Sequence, residues 1–308
     1  DVTVTPEPDV VTGTDADEGQ DAASDAAVSP APDATSAPAD AVVPPAPDAT
    51  STPSGWLALS AGYDHTLGLD ASNAVACWGS NHSQQCDVPE GTFAAIDAGA
   101  YFSCALDMAG AVHCWGEDHH GETSPPEGVF TAMGAGFAFG CALDSAGLAT
   151  CWGDDSLGQI SETPTDAFVS LSVGGYHSCG RADGGQVTCW GHDTYGQATA
   201  PPGSFGLVSA GEIHTCALDT EGAIVCWGDP LSDTPVGSFA GLASGSRDSC
   251  VIDAQGALTC WGIDALAAPP GAFQAVAVGA DHACGIDTDG AVHCWGSNQW
   301  DKASPPPP

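Results

Sequence analysis

Basic residues are nearly missing from this sequence. Three Lys and Arg stand against 40 Asp and Glu in 308 residues, a formal charge of −37 at pH 7. Nucleic-acid phosphates and anionic membrane surfaces hold proteins through positive charge, so the sign of the charge excludes both as partners. No apolar run approaches the roughly 18–20 residues needed to cross a bilayer, and no signal peptide is visible. Asp1 therefore reads as a processed start, and any lipid or membrane anchor belongs upstream of it. Tight Cys-x-x-Cys or Cys-x-x-His pairs, Gly-x-Ser-x-Gly, His-Glu-x-x-His and a phosphate-binding loop do not occur, and Lys302 is the only lysine. No zinc site, nucleophile elbow or nucleotide cradle can be assigned, so the expectation is no enzyme, no cofactor and no metal.

Residues 1–53 lack still more, having no aromatic residue, no cysteine and no Lys or Arg. Such a segment cannot form a core. Its eleven carboxylates and its Ala-Pro-Asp repeats at 31–33 and 46–48 predict a disordered, extended acidic Pro/Ala/Thr-rich linker or stalk. From residue 54 to 308 the composition changes.

Cysteine is abundant, with fourteen residues mostly in pairs ten apart, a pattern of oxidising compartments. The chain is expected to be exported: extracellular, periplasmic or on the cell surface. Cys-Trp-Gly recurs seven times, at Cys77, Cys114, Cys151, Cys189, Cys226, Cys260 and Cys294, in steps of 34 to 38 residues. Before each copy come an aromatic, an aliphatic three positions on and a glycine three beyond that, as in Phe93, Ile96 and Gly99. This predicts a first short strand ending in a glycine turn.

A hairpin follows. In Ser103–Gly116 the Asp107-x-x-Gly110 turn suits a type I turn with a left-handed residue, which sets Cys104 opposite Cys114, Leu106 opposite Val112 and Ser103 opposite Trp115. The cysteines then form a non-hydrogen-bonded pair about 4.5 Å apart at Cα, within disulfide reach. The same register pairs Cys141–Cys151, Cys179–Cys189, Cys216–Cys226, Cys250–Cys260 and Cys284–Cys294. Leu67 replaces the first cysteine of copy one, so Cys77 is expected to pair with Cys86 through a hairpin at Asn81-His82 that adds a fourth strand. One copy cannot bury both of its faces, so the copies must stack, and seven of them fit an all-β, closed seven-bladed β-propeller.

The unit A-G-x-x-H-x-C-A-L-D-x-x-G-x-V-x-C-W-G, as in Ala210–Gly228 with Ile224 at the Val position, resembles the repeat of the regulator of chromosome condensation family, whose members are seven-bladed propellers. The short repeats and paired cysteines resemble its secreted bacterial members, a group that includes a propeller-type β-lactamase inhibitor. Nuclear members bind chromatin and act on a small GTPase, and the acid excess argues against both here. Fold alone does not carry function across the family.

Candidate residues divide by position. His65, His177, His214 and His282 share one repeat position with Phe102, Phe139 and Asp248, which predicts hydrogen-bonded structural histidines inside the blades. Glu117-Asp118-His119-His120-Gly121-Glu122 is dense in possible ligands but confined to one loop. Strand order places the glycine-to-His loops and the post-tryptophan loops on one rim, and the Asp-x-x-Gly turns and proline junctions on the other. All four tyrosines then fall on the first rim, Tyr63, Tyr101 and Tyr176 in the former loops and Tyr195 in the latter, joined by Phe137, Ile213, Arg247 and Trp300. The inhibitor propeller uses aromatic loops of this rim, so the resemblance carries over to Tyr63, Tyr101, Phe137 and Tyr176. The expectation is a monomeric extracellular or cell-surface module that binds or scaffolds another protein, with inhibition of an extracellular hydrolase as the alternative and a propeller enzyme with a dispersed site as the third.

Overall fold

The computed structural model describes residues 55–229, 234–263 and 266–306, together with the backbone of a two-residue strand, Asp25–Ala26. That strand pairs with Ser60 and Ala61 on one side and Val278 on the other. The remainder of the expected 1–53 linker lies outside the described residues.

Seven blades of three antiparallel strands follow. Blade 1 comprises Trp56–Ala61, His65–Asp70 and Val75–Gly79, and blade 2 Phe93–Ala98, Phe102–Asp107 and Val112–Gly116. Blade 3 is Phe130–Ala135, Phe139–Asp144 and Ala149–Gly153, and blade 4 is Ser170–Val173, His177–Arg181 and Val187–Gly191. Blades 5, 6 and 7 begin at Phe205, Phe239 and Phe273 and end at Gly228, Gly262 and Gly296. No helix among the described residues is long and apolar enough to cross a membrane.

The hairpin register is as expected: Cys104 faces Cys114, Leu106 faces Val112 and Ser103 faces Trp115. The six hairpin disulfides form with Cα separations of 4.0–4.1 Å, and Cys77–Cys86 forms at 5.3 Å. Each aspartate of the Asp-x-x-Gly turn spends its Oδ1 on two backbone N–H groups, as Asp107 does for Ala109 (2.8 Å) and Ala111 (2.9 Å). Asn73 takes the left-handed place of the turn glycine at φ 62°.

The fourth strand is a correction. Residues 80–86 fold as turns, closed by Asn81 Oδ1, which accepts from Cys86 N–H at 2.8 Å. A disulfide needs two close Cα atoms and does not need paired strands, so the Cys77–Cys86 bond forms without them. The rim assignment survives, because in a three-strand antiparallel meander the loops after strands one and three still leave from one rim and the turn after strand two from the other. Phe130 N–H donates to Gly110 C=O (2.8 Å) at one rim, and Glu117 N–H to Tyr101 C=O (3.0 Å) at the other.

Blades stack through one repeated contact. The disulfide face of a blade packs on the tryptophan face of the next: Cys104, Leu106 and Val112 against Phe130, Met133 and Trp152, and Cys141 and Leu143 against Phe168, Leu171 and Trp190. Cys284 and Ile286 of blade 7 meet Trp56, Leu59 and Trp78 of blade 1, which closes the ring. Backbone bonds run round the channel end as well, from Ala100 N–H to Gly136 C=O (3.2 Å) and finally from Ala280 N–H to Gly62 C=O (3.4 Å). The chain passes so close here that a Cβ on Gly174 would collide with the Gly211 carbonyl.

The repeat-position histidines lie between blades, another correction, since they were expected inside them. His65 Nε2 meets Ser103 Oγ of blade 2 (2.9 Å), His177 meets Thr215 Oγ1 (2.6 Å), His214 meets Ser249 Oγ (2.9 Å) and His282 meets Thr66 Oγ1 (2.9 Å). Ser103 Oγ itself donates to Gln85 C=O (2.8 Å), so His65 Nε2 carries the proton and donates to the hydroxyl. Burial drives all four imidazoles down, to about 3 for His65, His177 and His282 and about 4 for His214.

Candidate functional site: an aromatic arc on one rim

The loop after each first strand is short and fastened at both ends. In blade 2, Gly99 N–H donates to Phe102 C=O (2.9 Å), while Tyr101 C=O accepts from Glu117 of the post-tryptophan loop (3.0 Å). Asp154 N–H to Ala138 C=O (2.8 Å) and His192 N–H to Tyr176 C=O (3.0 Å) repeat the bond in blades 3 and 4. Both loops therefore reach the same rim as a pair, on a backbone with little freedom.

On that backbone four of the expected residues touch in series. The ring centroids of Tyr63 and Tyr101 are 5.6 Å apart, those of Tyr101 and Phe137 6.2 Å in an edge contact, and those of Phe137 and Tyr176 5.2 Å in a stack. Aromatic pairs prefer these offset and edge arrangements. All four side chains are half-buried, each against its neighbour in the series. The series extends through His192, 6.1 Å from Tyr176 and 6.1 Å from Tyr195, which is exposed. Gln197 Nε2 donates to His192 Nδ1 (2.9 Å) and His192 Nε2 donates to Thr194 Oγ1 (2.7 Å), so the bridging ring is held in place. Sequence reasoning missed His192; its signal was its place directly after Trp190-Gly191.

Ile213 and Arg247 occupy the same loops in blades 5 and 6 and are half-buried, outside the ring-to-ring series. Trp300 stands apart too, exposed, with φ 65° and its ring edge-on to His82 at 4.6 Å. The eight expected residues thus resolve into one arc of five, Tyr63, Tyr101, Phe137, Tyr176 and Tyr195, and three outliers.

The arc is flanked by carboxylates. Burial, aided by Tyr63, Asp64 and Glu117, pushes the Tyr101 phenol up to about 12. Glu117 contacts His119 (3.8 Å), Asp154 contacts His120 (3.8 Å), and Asp64 accepts from Lys302. In the acidic loop Glu122 is committed to structure, its Oε2 accepting from His120 N–H (2.7 Å) and its carbonyl from Trp152 Nε1 (2.8 Å). His113 and His293 are surface residues that bond the aspartates of their own turns, Asp107 (3.0 Å) and Asp287 (2.7 Å). A separate cavity of about 330 Å³ lies at the opposite rim between blades 6 and 7, lined by residues such as Ile252, Gln255 and Phe273.

Comparison with known proteins agrees with this architecture. Residues 56–85, 93–122, 168–197, 207–231 and 273–299 match the Regulator of chromosome condensation (RCC1) repeat. Blades 3 and 6 lie outside those stretches yet have the same three strands. A search of the curated proteins finds no match. Among solved structures the chain is similar to the CRINKLY WD40 ectodomain of the Arabidopsis thaliana receptor kinase ACR4, at 26% identity and TM-score 0.66, covering 79% of this chain and 98% of that one. It is also similar to the ectodomain of the Physcomitrella patens receptor kinase CR4, at 28% identity and TM-score 0.68, covering 76% of this chain and 70% of that one. Yeast RCC1 (Prp20), solved bound to Kap60, shares the fold at 17% identity and TM-score 0.58, covering 68% of this chain and 70% of that one. The chain is thus a disulfide-bonded seven-bladed propeller in which five stretches match the RCC1 repeat.

Proposed function

We propose that the chain is an exported, monomeric protein-binding module whose binding surface is the aromatic arc. The observation that carries this reading is the unbroken series Tyr63, Tyr101, Phe137 and Tyr176, four side chains from four blades on one rim. Aromatic residues dominate binding hot spots because they bury large area with few rotors and keep polar reach. Seven disulfides staple the chain that carries them, six of them across the hairpin of a blade, and the likeness to two receptor-kinase ectodomains supports an extracellular setting. The reading is non-catalytic. The four buried histidines are committed to hydroxyls between blades, and burial keeps them neutral.

An inhibitor of an extracellular hydrolase is the second reading. It is favoured by the same rim placement of the aromatics and by the resemblance to the secreted inhibitor propeller.

The test is capture from the native surface or medium by the immobilised chain. Tyr101→Ala with Tyr176→Ala is expected to weaken capture by at least about 2 kcal/mol without moving the melting temperature. Unchanged capture, or loss caused instead by substitutions in the Asp-x-x-Gly turns, would place the site elsewhere. Assaying the captured protein for hydrolase activity, with and without the chain, separates the two readings.

A further inference from the structure

Three basic side chains serve the whole protein, and none lies free on the arc. Arg181 Nε bonds Ser170 Oγ (3.2 Å), and its carbonyl accepts from Val169 N–H (2.8 Å) at the rim of the turns. Lys302 is 1% exposed. Arg247 belongs to blade 6, beyond the aromatic series. On the rim of the arc, blades 1 to 4 therefore present aromatic side chains and carboxylates with no Lys or Arg among them except the buried Lys302.

The carboxylates are placed by the backbone, each one position after a Trp-Gly pair. Glu117 is bonded through its N–H to the carbonyl of Tyr101, and Asp154 to that of Ala138, the neighbour of Phe137. Their side chains remain 30% and 21% exposed, and their ion pairs among the described residues are with His119 and His120 alone. An aromatic face attracts a cation through its quadrupole, and a carboxylate beside it adds Coulomb attraction of the same sense.

We infer that the arc takes a cationic segment of its partner, with Arg or Lys heads lying on the solvent-exposed side of the series at Tyr101 and Phe137, beside Glu117 and Asp154. This rests on the protein-binding reading above and gives that partner a chemistry. Charge complementarity of this kind governs on-rate and choice of partner more than raw affinity. The long-range field of the acidic protein draws any polycation, so the test must separate the site from that field.

The probe is a fluorescein-labelled peptide with four Arg spaced by Gly-Ser, against the same peptide with Gln for Arg. Anisotropy is read with the full chain in about 150 mM NaCl, where the Debye length is about 8 Å. The Arg peptide is expected to bind and the Gln peptide not. Tyr101→Ala with Tyr176→Ala, and separately Glu117→Gln with Asp154→Asn, should each weaken the Arg peptide at least tenfold. Glu221→Gln with Asp289→Asn removes two charges at the far rim and should change it less than twofold. Equal loss from the near-rim and far-rim charge pairs, or no loss from either arc pair, would overturn the inference. Capture of the native partner that is lost in the tyrosine pair but kept in Glu117→Gln with Asp154→Asn leaves the binding reading standing and this inference refuted. Melting temperatures equal to that of the parent chain confirm that each variant is folded.

Discussion

Lys302 Nζ lies 2.8 Å from Asp64 Oδ1, tying the chain beyond blade 7 to the first loop of blade 1. The same ammonium contacts Asp281 Oδ1 of blade 7 at 2.6 Å, and the Lys302 carbonyl accepts from Trp78 Nε1 at 2.9 Å. In other blades that carbonyl comes from Gln85, Glu122, Gln159 or Gln197 of the preceding copy. For blade 1 the preceding copy round the ring is the seventh, and Lys302 holds the same place in it.

Replacing this lysine should open the seam. Lys302→Met leaves Asp64 and Asp281 without their cation. Removing one partner of a buried pair costs roughly 3–5 kcal/mol, and the partial exposure of Asp64 and Asp281, at 19% and 44%, brings the expected loss to about 2–3 kcal/mol. Urea denaturation checks it; a midpoint equal to that of the parent would show that the seam is held by apolar packing alone.

Acid should destabilise the propeller through its histidines. Their folded values of about 3 to 4 lie below the ordinary imidazole value of 6.5, so the unfolded chain takes up protons first as pH falls. The stability they support is complete above about pH 6.5 and is lost on acidification, each group contributing about 1.4 kcal/mol per pH unit. His214→Phe with Ser249→Ala imitates the boundary of blades 2 and 3, where Phe102 holds the histidine's repeat position and Gly140 that of the hydroxyl. Denaturation at pH 4.5, 5.5 and 6.5 should show a shallower slope by that amount, and an unchanged slope would contradict the buried neutral imidazole.

Asp97 works in the opposite sense. It accepts from Ser60 Oγ (2.7 Å), Ala98 N–H (3.0 Å) and Ala135 N–H (2.8 Å), yet burial dominates and pushes its carboxyl up to about 7. Between about pH 4 and pH 7 the folded state keeps a proton that the unfolded state releases, so stability falls as pH rises through that window. One such group against four histidines leaves acid destabilisation dominant. Asp97→Ser, the residue that blades 4 and 5 use as Ser172 and Ser209, should raise stability at pH 8 relative to pH 5. A pH profile identical to the parent's would refute this.

Peptide mapping without reduction should return the seven disulfides, six at a spacing of ten residues and Cys77–Cys86 at nine. Cys104→Ala with Cys114→Ala is expected to cost up to about 3 kcal/mol, the loop-closure value for so short a ring. Any bond between different blades would contradict the hairpin register.

The hairpins were legible because their signals are local. Cys104, Cys114, Ser103 and Trp115 fix the register without reference to any other copy. The fourth strand failed at Asn81-His82 because a disulfide constrains distance and leaves backbone conformation open. The interblade bonds of His65 and His282 could not be read, since a repeat shows which positions are alike and not which copies meet. Lys302 could have been found: it is the eighth residue after Cys294, as Gln85, Glu122, Gln159 and Gln197 are after theirs. The rim of the arc followed from strand order, but the contacts that link Tyr63 to Tyr176 depend on ring orientation, which the sequence does not carry.

The histidine-to-hydroxyl bonds all point the same way round the ring, from one blade to the next, and this gives the repeats a grammar. A blade is acceptable only beside a suitable successor. Deleting blade 2 would set His65 against Gly140, leaving a buried donor with nothing to meet, whereas deleting blade 5 would set His177 against Ser249, a hydroxyl of the required kind. Copies that look interchangeable as strings are therefore not interchangeable as parts. Gain or loss of a blade, in evolution or in the laboratory, is open at some boundaries and closed at others.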